Sequence, residues 1–323
     1  MDAAEPTDLE TFIASAQRVV DFLNSRTPLT DWSVSRVAGD EQVHLHVRGD
    51  TLLQVGDRVA WDETFCRRML AGASQVVHDS QLDADYADIP AAVDVRAYAG
   101  VPILDGDGSL FGTLCGVRAE PLLGGEHVDK AMLDVFSELL SAQLVLVRSC
   151  SALHHAAVLA EAVANSDGLT GLMNRRGWDL LAAEAQERVD ALGDQVGVLM
   201  IDLDDLKTVN DRVGHHAGDA LIASAASALR TAARAGDKVA RYGGDEFAVY
   251  VEDVAVADLD TVAARYADAL AAVGVSASVG AAPVLPDGKP GSRLERALAE
   301  ADASMYASKA RKRAEAATRA EPR

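Results

Sequence analysis

Aromatic residues are scarce in this chain, at 5 % of 323 residues, and cysteine is scarcer still, with three in all. Cys66, Cys115 and Cys150 are odd in number and widely spaced. They offer no disulfide framework and no Cys-x-x-Cys metal pair, so a reduced, cytoplasmic chain is the simplest expectation. Basic residues are in deficit: 30 Lys and Arg stand against 50 Asp and Glu, a formal charge of −20. Such a chain repels nucleic acid and anionic membrane surfaces. An anionic substrate must then be met by a local cluster of cations plus metal. No apolar run reaches the length of a membrane span. The N-terminus lacks the cationic start and apolar core of a signal peptide. What the chain does have is 49 % apolar residues, abundant alanine, and a length that suits about two domains.

In the first half, Thr7-Asp8-Leu9-Glu10 resembles a helix start with a capping box. Leu9, Phe12, Ile13, Ala16, Val20 and Leu23 then mark one helical face. Strand-like runs follow at 32–37, at Val43-Leu45-Val47 in alternation, and at 52–55. A helix is expected over 63–72, a strand over 74–78, a polar connection over 80–93, and strands over 98–103 and 110–117. This is an α+β unit with an antiparallel sheet. Alternating His44 and His46 read as surface-facing, and Cys66 reads as a small buried residue. A helical segment spans about 126–165. Leu133, Phe136, Leu140, Leu144 and Val147 form a heptad-like seam on it, packed either on its own domain or on a second copy. No Gly or Pro interrupts it before Asp167-Gly168, and a continuous helix can transmit rotation where a Gly/Ser linker cannot.

The second half reads as a helix over 174–190, a buried strand over 196–201 ending at Asp202, and helices over 206–213 and 217–235. A hairpin, a helix over 257–272, a strand over 275–280 and a last helix over 292–317 complete it. The expected architecture is an α/β sandwich with one layer of helices on a sheet.

The hairpin carries Arg241-Tyr242-Gly243-Gly244-Asp245-Glu246-Phe247. A Gly-Gly pair between two strands signals a tight turn, which holds two carboxylates at its tip. Asp202 on a neighbouring strand completes a carboxylate pair suited to Mg²⁺ or Mn²⁺ with phosphate oxygens. Asp202 could equally cap the next helix. Asn210 and Asp219 offer a donor and acceptors that match the paired N–H groups of guanine, which adenine lacks; capping is the alternative for each. His215 and His216 are adjacent, share no helix face, and read as loop residues. Lys309 and Arg313 share a helix face and could clamp a triphosphate. Beside Arg311 and Lys312, composition alone favours a solvated basic tail.

Together, these segments resemble the GGDEF domain, the catalytic module of diguanylate cyclases. The resemblance covers 167–313 and rests on Asp167-Gly168-Leu169-Thr170-Gly171-Leu172, the stretch from Asp202 to Asp219, Gly243-Gly244-Asp245-Glu246-Phe247, Val275 to Gly280, and Ala301 to Lys309. It implies a fold like that of nucleotidyl cyclases and polymerase palms, ferredoxin-like in form. It also implies condensation of two GTP into cyclic di-GMP across an antiparallel homodimer. Carried over, Asp202 and Asp245 would bind metal with the Leu203 carbonyl, and Glu246 would assist or activate the 3′-hydroxyl. Asn210 and Asp219 would read guanine. Lys207, Lys309 and Arg313 would hold phosphates with the amides of Asp205 and Leu206, over Gly243 and Gly244. Arg234-Ala235-Gly236-Asp237 matches the family's RxxD product-inhibition site, with Arg265 as a second inhibitory arginine. Leu206 stands where Phe is common, and Lys312 where Gly often precedes the phosphate-binding Arg. Asp219, kept as an acid, speaks against the relatives that accept ATP.

Residues 8–147 resemble a GAF sensory domain, through Asp62-Glu63-Thr64-Phe65-Cys66 and the strands near Tyr98 and Phe111-Gly112-Thr113-Leu114-Cys115-Gly116. The expected organisation is this domain over 8–147, a connecting helix over 126–166 that overlaps its end, and the cyclase domain over 167–317. No residue names the GAF ligand. Two other readings stay open: a non-catalytic cyclic di-GMP receptor using Arg234 and Asp237, and a GAF-driven interaction module whose cyclase is silent until a partner arrives.

Overall fold

The computed structural model describes residues 8–49, 51–285 and 292–320, with side chains through Lys312. The capping box at Thr7 lies outside the described residues. The chain forms two compact units that divide within one long helix, at residues 154 and 155.

The first unit runs α1 (Asp8–Arg26), β1 (Asp31–Ala38), β2 (Glu41–Arg48), β3 (Arg58–Ala60), α2 (Phe65–Leu70), β4 (Val76–Val77), β5 (Ala97–Leu104), β6 (Leu110–Arg118) and α3 (Lys130–Ala164). The strands make one sheet in the order β3-β2-β1-β6-β5-β4, and each pairing is antiparallel. The apolar face of α1 packs with α3 residues on one side of the sheet. Phe65, Cys66 and Met69 of α2 pack with Tyr86 and Tyr98 on the other. Trp32 is fully buried, and burying such a ring contributes roughly 2–3 kcal/mol. It lies so close to β6 that a Cβ on Gly116 would come within 2.5 Å of the indole.

Three local expectations fail in this unit, each for a physical reason. Residues 52–55 are not a strand. The buried Asp31 carboxylate accepts from the amides of Thr51, Leu52 and Leu53 at 2.9–3.4 Å, which curls the chain, and the strand falls later at β3. His44 and His46 are buried rather than surface-facing, because both faces of β2 are covered. His44 Nδ1 lies 2.7 Å from Ser33 Oγ, and burial lowers both imidazoles to about 4. Finally, α3 begins at Lys130 rather than 126. The Glu126 carboxylate is held by Arg118 and the Leu123 amide, and Asp129 caps the helix through the Ala131 amide at 2.9 Å.

The seam expected on α3 packs inward. Leu133, Leu140, Leu144 and Val147 are buried in this unit's own core, with Phe136 packed against them. The outward face carries a second series. Val135, Leu139, Leu146 and Leu153 are 54, 60, 62 and 76 % exposed. Ala142 and Ser149 lie exposed between them, and Ala156, Ala160 and Val163 continue the series. The spacing alternates four and three throughout, the a/d period of a two-stranded coil.

The second unit, beyond α3, contains α4 (Arg175–Leu192), β7 (Val196–Leu203), α5 (Leu206–Val213), α6 (His215–Ala232), β8 (Lys238–Arg241), β9 (Glu246–Glu252), α7 (Leu259–Ala272), β10 (Ala277–Val284) and α8 (Arg293–Ala320). Its antiparallel sheet runs β10-β7-β9-β8. Helices cover both faces, not one. Residues of α6 and α7 pack with Leu199, Ile201, Phe247 and Val249, while α4 and α8 pack with Val198, Met200, Ala248 and Tyr250. The continuous apolar run of β7 carries the reason: a strand buried on both faces shows no polar alternation. Gly280 permits the close seating of α8 on β10, since a Cβ there would fall 2.1 Å from the Ala301 carbonyl. That seating aims Lys309 at the end of β7.

Candidate active site

β7 is the central element of the site. Its residue Asp202 is the register partner of Glu246 on β9 and of Ser278 on β10. The ladder runs one step further, with the Leu203 amide donating to the Asp245 carbonyl at 3.0 Å. Asp202, Asp245 and Glu246 are thereby drawn to one end of the sheet. The hairpin tip is wider than a two-residue turn. Arg241 pairs with Phe247, and the amides of Tyr242 and Gly243 both donate to the Glu246 carbonyl, at 2.9 and 3.2 Å. Neither Gly243 nor Gly244 has positive φ. Gly243 is required sterically, because a Cβ would meet Glu246 Oε2 at 2.5 Å, whereas a Cβ on Gly244 would meet nothing within 4 Å. The tip therefore presents bare backbone to open space, as close approach of a phosphate requires.

Arg241 braces this tip. Its guanidinium donates to the Gly244 carbonyl at 2.8 Å and lies 3.3 Å from both Asp167 oxygens. Asp167 also accepts from the Thr170 amide and hydroxyl. Burial raises the Asp167 carboxyl, but Thr170 and Arg241 outweigh it and hold it below the usual carboxylate range. The Asp167–Leu172 turn is thus structural support for the hairpin.

The acids repel one another. Burial is the main reason the Glu246 carboxyl is raised, and the charges of Asp245, Asp202 and Asp302 raise it further while Lys309 opposes them. Lys309 Nζ donates to Asp202 Oδ1 at 2.5 Å, with both side chains largely buried. No side chain caps the following helix α5, so Asp202 does not act as a helix cap. Asp204 accepts from Ser276 Oγ at 2.8 Å, Ser278 Oγ at 3.0 Å and Lys312 Nζ at 3.3 Å. Burial raises its carboxyl, and those donors more than compensate, leaving it below the usual range. Lys312, which also donates to the Ala277 carbonyl, joins this network while remaining exposed. Arg313 follows on α8, with its side chain outside the described residues.

Among the described residues, no set of three or more His, Cys, Asp or Glu converges as a metal-binding group. The donor set still fits a hard divalent cation. Its members are carboxylate oxygens, and their mutual repulsion, visible at Glu246, is what such a cation relieves.

Asp205 begins α5 with a left-handed backbone, φ 63°, and no side chain caps the helix. Leu206 is buried under the sheet and Lys207 is exposed. Asn210 on α5 lies against Gly218 on α6, where a Cβ would fall 2.0 Å from its Oδ1. That Oδ1 is buried without a hydrogen-bond partner among the described residues. Asp219, the next residue, is exposed. Glycine at 218 thus gives Asn210 room against α6, one residue before Asp219 in the chain.

The Arg234–Asp237 turn forms a separate group. Asp237 is buried, and its Oδ2 accepts from the Arg234 amide at 3.0 Å, Arg265 at 2.5 Å and the Tyr266 hydroxyl at 2.7 Å. Asp237 and Arg265 are engaged within the turn, while the Arg234 side chain is exposed. Sequence reasoning missed Arg241, Asp302 and the Asp204–Ser276–Ser278–Lys312 network. Asp302 was findable, since it lies seven residues before Lys309 and shares its helix face.

Family models match in two places. One described as "GAF domain" matches residues 12–144, and one described as "Diguanylate cyclase, GGDEF domain" matches residues 164–315. An "Uncharacterized signaling protein" of Caulobacter vibrioides is 36 % identical over 122 residues, 35 % of this chain and 15 % of that protein. "Diguanylate cyclase DgcP" of Escherichia coli is 28 % identical over 173 residues, 53 % of this chain and 50 % of that protein. The chain therefore spans half or less of the length of these curated relatives. The crystal structure of the GGDEF domain of DgcB from Caulobacter crescentus in complex with c-di-GMP is 30 % identical. It covers 45 % of this chain and 90 % of that one, with a TM-score of 0.40. The chain is a GAF domain followed by a GGDEF domain of the diguanylate cyclase family.

Proposed function

We propose that the chain condenses two molecules of GTP into cyclic di-GMP and two pyrophosphates, one GTP held by each subunit of an antiparallel homodimer. The observation that carries this reading is that the strand register brings Asp202, Asp245 and Glu246 to one end of the sheet, where Lys309 pairs with Asp202. A pure receptor for cyclic di-GMP has no need of that cluster. Mg²⁺ or Mn²⁺ on Asp202, Asp245 and the Leu203 carbonyl would supply charge stabilisation at the transferring phosphoryl group. Lys309, Lys207, Arg313 and the first-turn amides of α5 position the phosphates over the bare backbone of Gly243 and Gly244. Asn210 and Asp219 orient guanine. Glu246 would take the proton of the 3′-hydroxyl, a role its raised carboxyl supports.

Only a second copy can present the other GTP, so dimer geometry sets the rate. The exposed a/d series on α3 supports a second copy as its partner. The working division is a sensory domain over 8–147, a connecting helix over 126–166 and a cyclase domain over 167–317, acting in the cytoplasm without nucleic acid as partner. Product binds at Arg234, with Asp237 and Arg265 as the internal anchors of that turn, and lowers the rate. Purified protein with GTP and Mg²⁺ should release cyclic di-GMP and pyrophosphate on chromatography. Binding of cyclic di-GMP with no turnover at any protein concentration would establish the receptor instead.

A further inference from the structure

Cys66 of α2 and Cys115 of β6 meet in the core of the first unit, where both line one cavity and both lie within reach of the Gln42 amide. Cys66 Sγ accepts three hydrogen bonds, from Thr113 Oγ1 at 3.2 Å, Gln42 Nε2 at 3.5 Å and the Tyr98 hydroxyl at 3.5 Å. Gln42 Nε2 also reaches Cys115 Sγ at 4.0 Å. The Tyr98 hydroxyl holds its place because residue 100 is glycine; a Cβ there would fall 2.0 Å from it. A neutral thiol is a weak acceptor, and a buried structural cysteine is ordinarily inert. Three donors converging on one sulfur instead favour its thiolate. The Cys115 thiol, with Thr113, Tyr98 and Gln42, holds the Cys66 thiol below its ordinary range against the effect of burial. Donating to Cys66 correspondingly holds the Cys115 thiol up.

A cavity of about 90 Å³ opens beside the pair, lined by both cysteines, Gln42, Thr64, Phe65 and Tyr98 among others. That is several times the room one water requires, and too little for a bulky thiol or a nucleotide. The Gln42 Oε1 is buried with no hydrogen-bond partner among the described residues, which leaves an acceptor for an incoming O–H.

We propose that Cys66 and Cys115 are a dithiol that reduces small hydroperoxides and closes reversibly to a disulfide. The Cys66 thiolate attacks one peroxide oxygen. The S–O bond forms, the O–O bond breaks, and the other oxygen takes up the proton that left the Cys66 thiol and departs as water or alcohol. Sulfur is oxidised by two electrons and the peroxide is reduced. The Cys115 sulfur then attacks the sulfenic sulfur; the S–S bond forms, and hydroxide leaves with the Cys115 proton as water. The bond would join α2 to the centre of β6.

The test uses the reduced full-length chain and hydrogen peroxide at one and ten equivalents. The reaction is quenched with N-ethylmaleimide in denaturant and read by peptide mass spectrometry. Cys150, half-buried and with its thiol held up by Asp8, serves as the internal control. The expected result is a Cys66–Cys115 linked peptide, reversed by dithiothreitol, with Cys150 alkylated. In Cys115→Ala, dimedone should trap a sulfenic acid at Cys66; in Cys66→Ala, Cys115 should stay alkylatable. Oxidation of Cys150 ahead of the pair, or both cysteines still alkylated at ten equivalents, overturns the proposal. The wild-type peptide map decides the question even if a variant fails to fold.

Discussion

Lys309 of α8 and Asp202 of β7 form a close ion pair, 2.5 Å between Nζ and Oδ1, across a helix–sheet contact that Gly280 makes possible. The ammonium therefore shares the oxygen that a divalent cation would take. Lys309→Met is expected to lower kcat/KM for GTP by about 100-fold or more, as loss of a charge-stabilising group does. It should also let Mg²⁺ raise the melting temperature more than in the wild type, because the competitor for Asp202 is gone. Thermal denaturation with and without Mg²⁺ reads this. An equal Mg²⁺ effect in both proteins would refute the competition.

Glu246 gives a stability prediction with a definite sign. Its folded-state carboxyl lies above the ordinary value of 4.5. Protonation is thus favoured by folding, and its contribution is fully present below about 4.5 and lost as pH rises through the raised value. Glu246→Gln should therefore stabilise the protein at pH 8 by about 1–3 °C in melting temperature. The gain should be smaller at pH 5, and turnover should be lost. Parallel melting curves at the two pH values check the sign.

Asp302 acts on the same carboxyl from α8. Removing that charge in Asp302→Asn should move the acidic limb of the pH–rate profile to lower pH. An unmoved limb would mean that Glu246 is not the titrating group.

Gly218 gives Asn210 its position. Gly218→Ala must displace that side chain, so KM for GTP should rise roughly tenfold, the scale of one lost hydrogen bond. The kcat should change less. Asp219→Ala should narrow the preference for GTP over ATP. Initial rates with both nucleotides separate the two effects.

At the Arg234 turn, two arginines predict opposite outcomes. Arg265→Ala leaves the buried Asp237 without its charged partner and should cost about 1–3 kcal/mol. Arg234→Ala should leave stability within about 0.5 kcal/mol, as for an exposed side chain, and relieve inhibition by product. Denaturant unfolding and progress curves with added cyclic di-GMP distinguish them.

Much of this was legible from residue order. The α-β-α-α-β-β-α-β-α succession of the second unit and the acids near 202 and 245 follow from periodicity and turn residues, because both are local signals. What was not legible depends on contacts between distant segments. The Asp31 carboxylate that curls residues 51–53 sits far away in sequence. The burial of His44 and His46 required knowing that a second layer covers β2. The partner of the α3 seam stayed open because two apolar series interleave on one helix, and spacing alone does not say which one faces the core; the structure gives the core to the series of Leu133, Leu140, Leu144 and Val147. The hairpin glycines were attributed to turn conformation, whereas the Glu246 carboxylate beside Gly243 decides the matter sterically.

Those two series on α3 also constrain its mechanics. Leu133, Leu140, Leu144 and Val147 key the helix into the first unit's core along one side, while Leu139, Leu146 and Leu153 stand ready on the other. An axle keyed in this way does not spin within its bearing; a twist of even one residue's angle, about 100°, would drag four buried side chains into water. If the outer series grips a second copy, a change in the sensory core can reach the pair only as tilt or axial sliding of the whole helix. Rotation of α3 within its own unit is a movement the packing opposes at all four of those side chains.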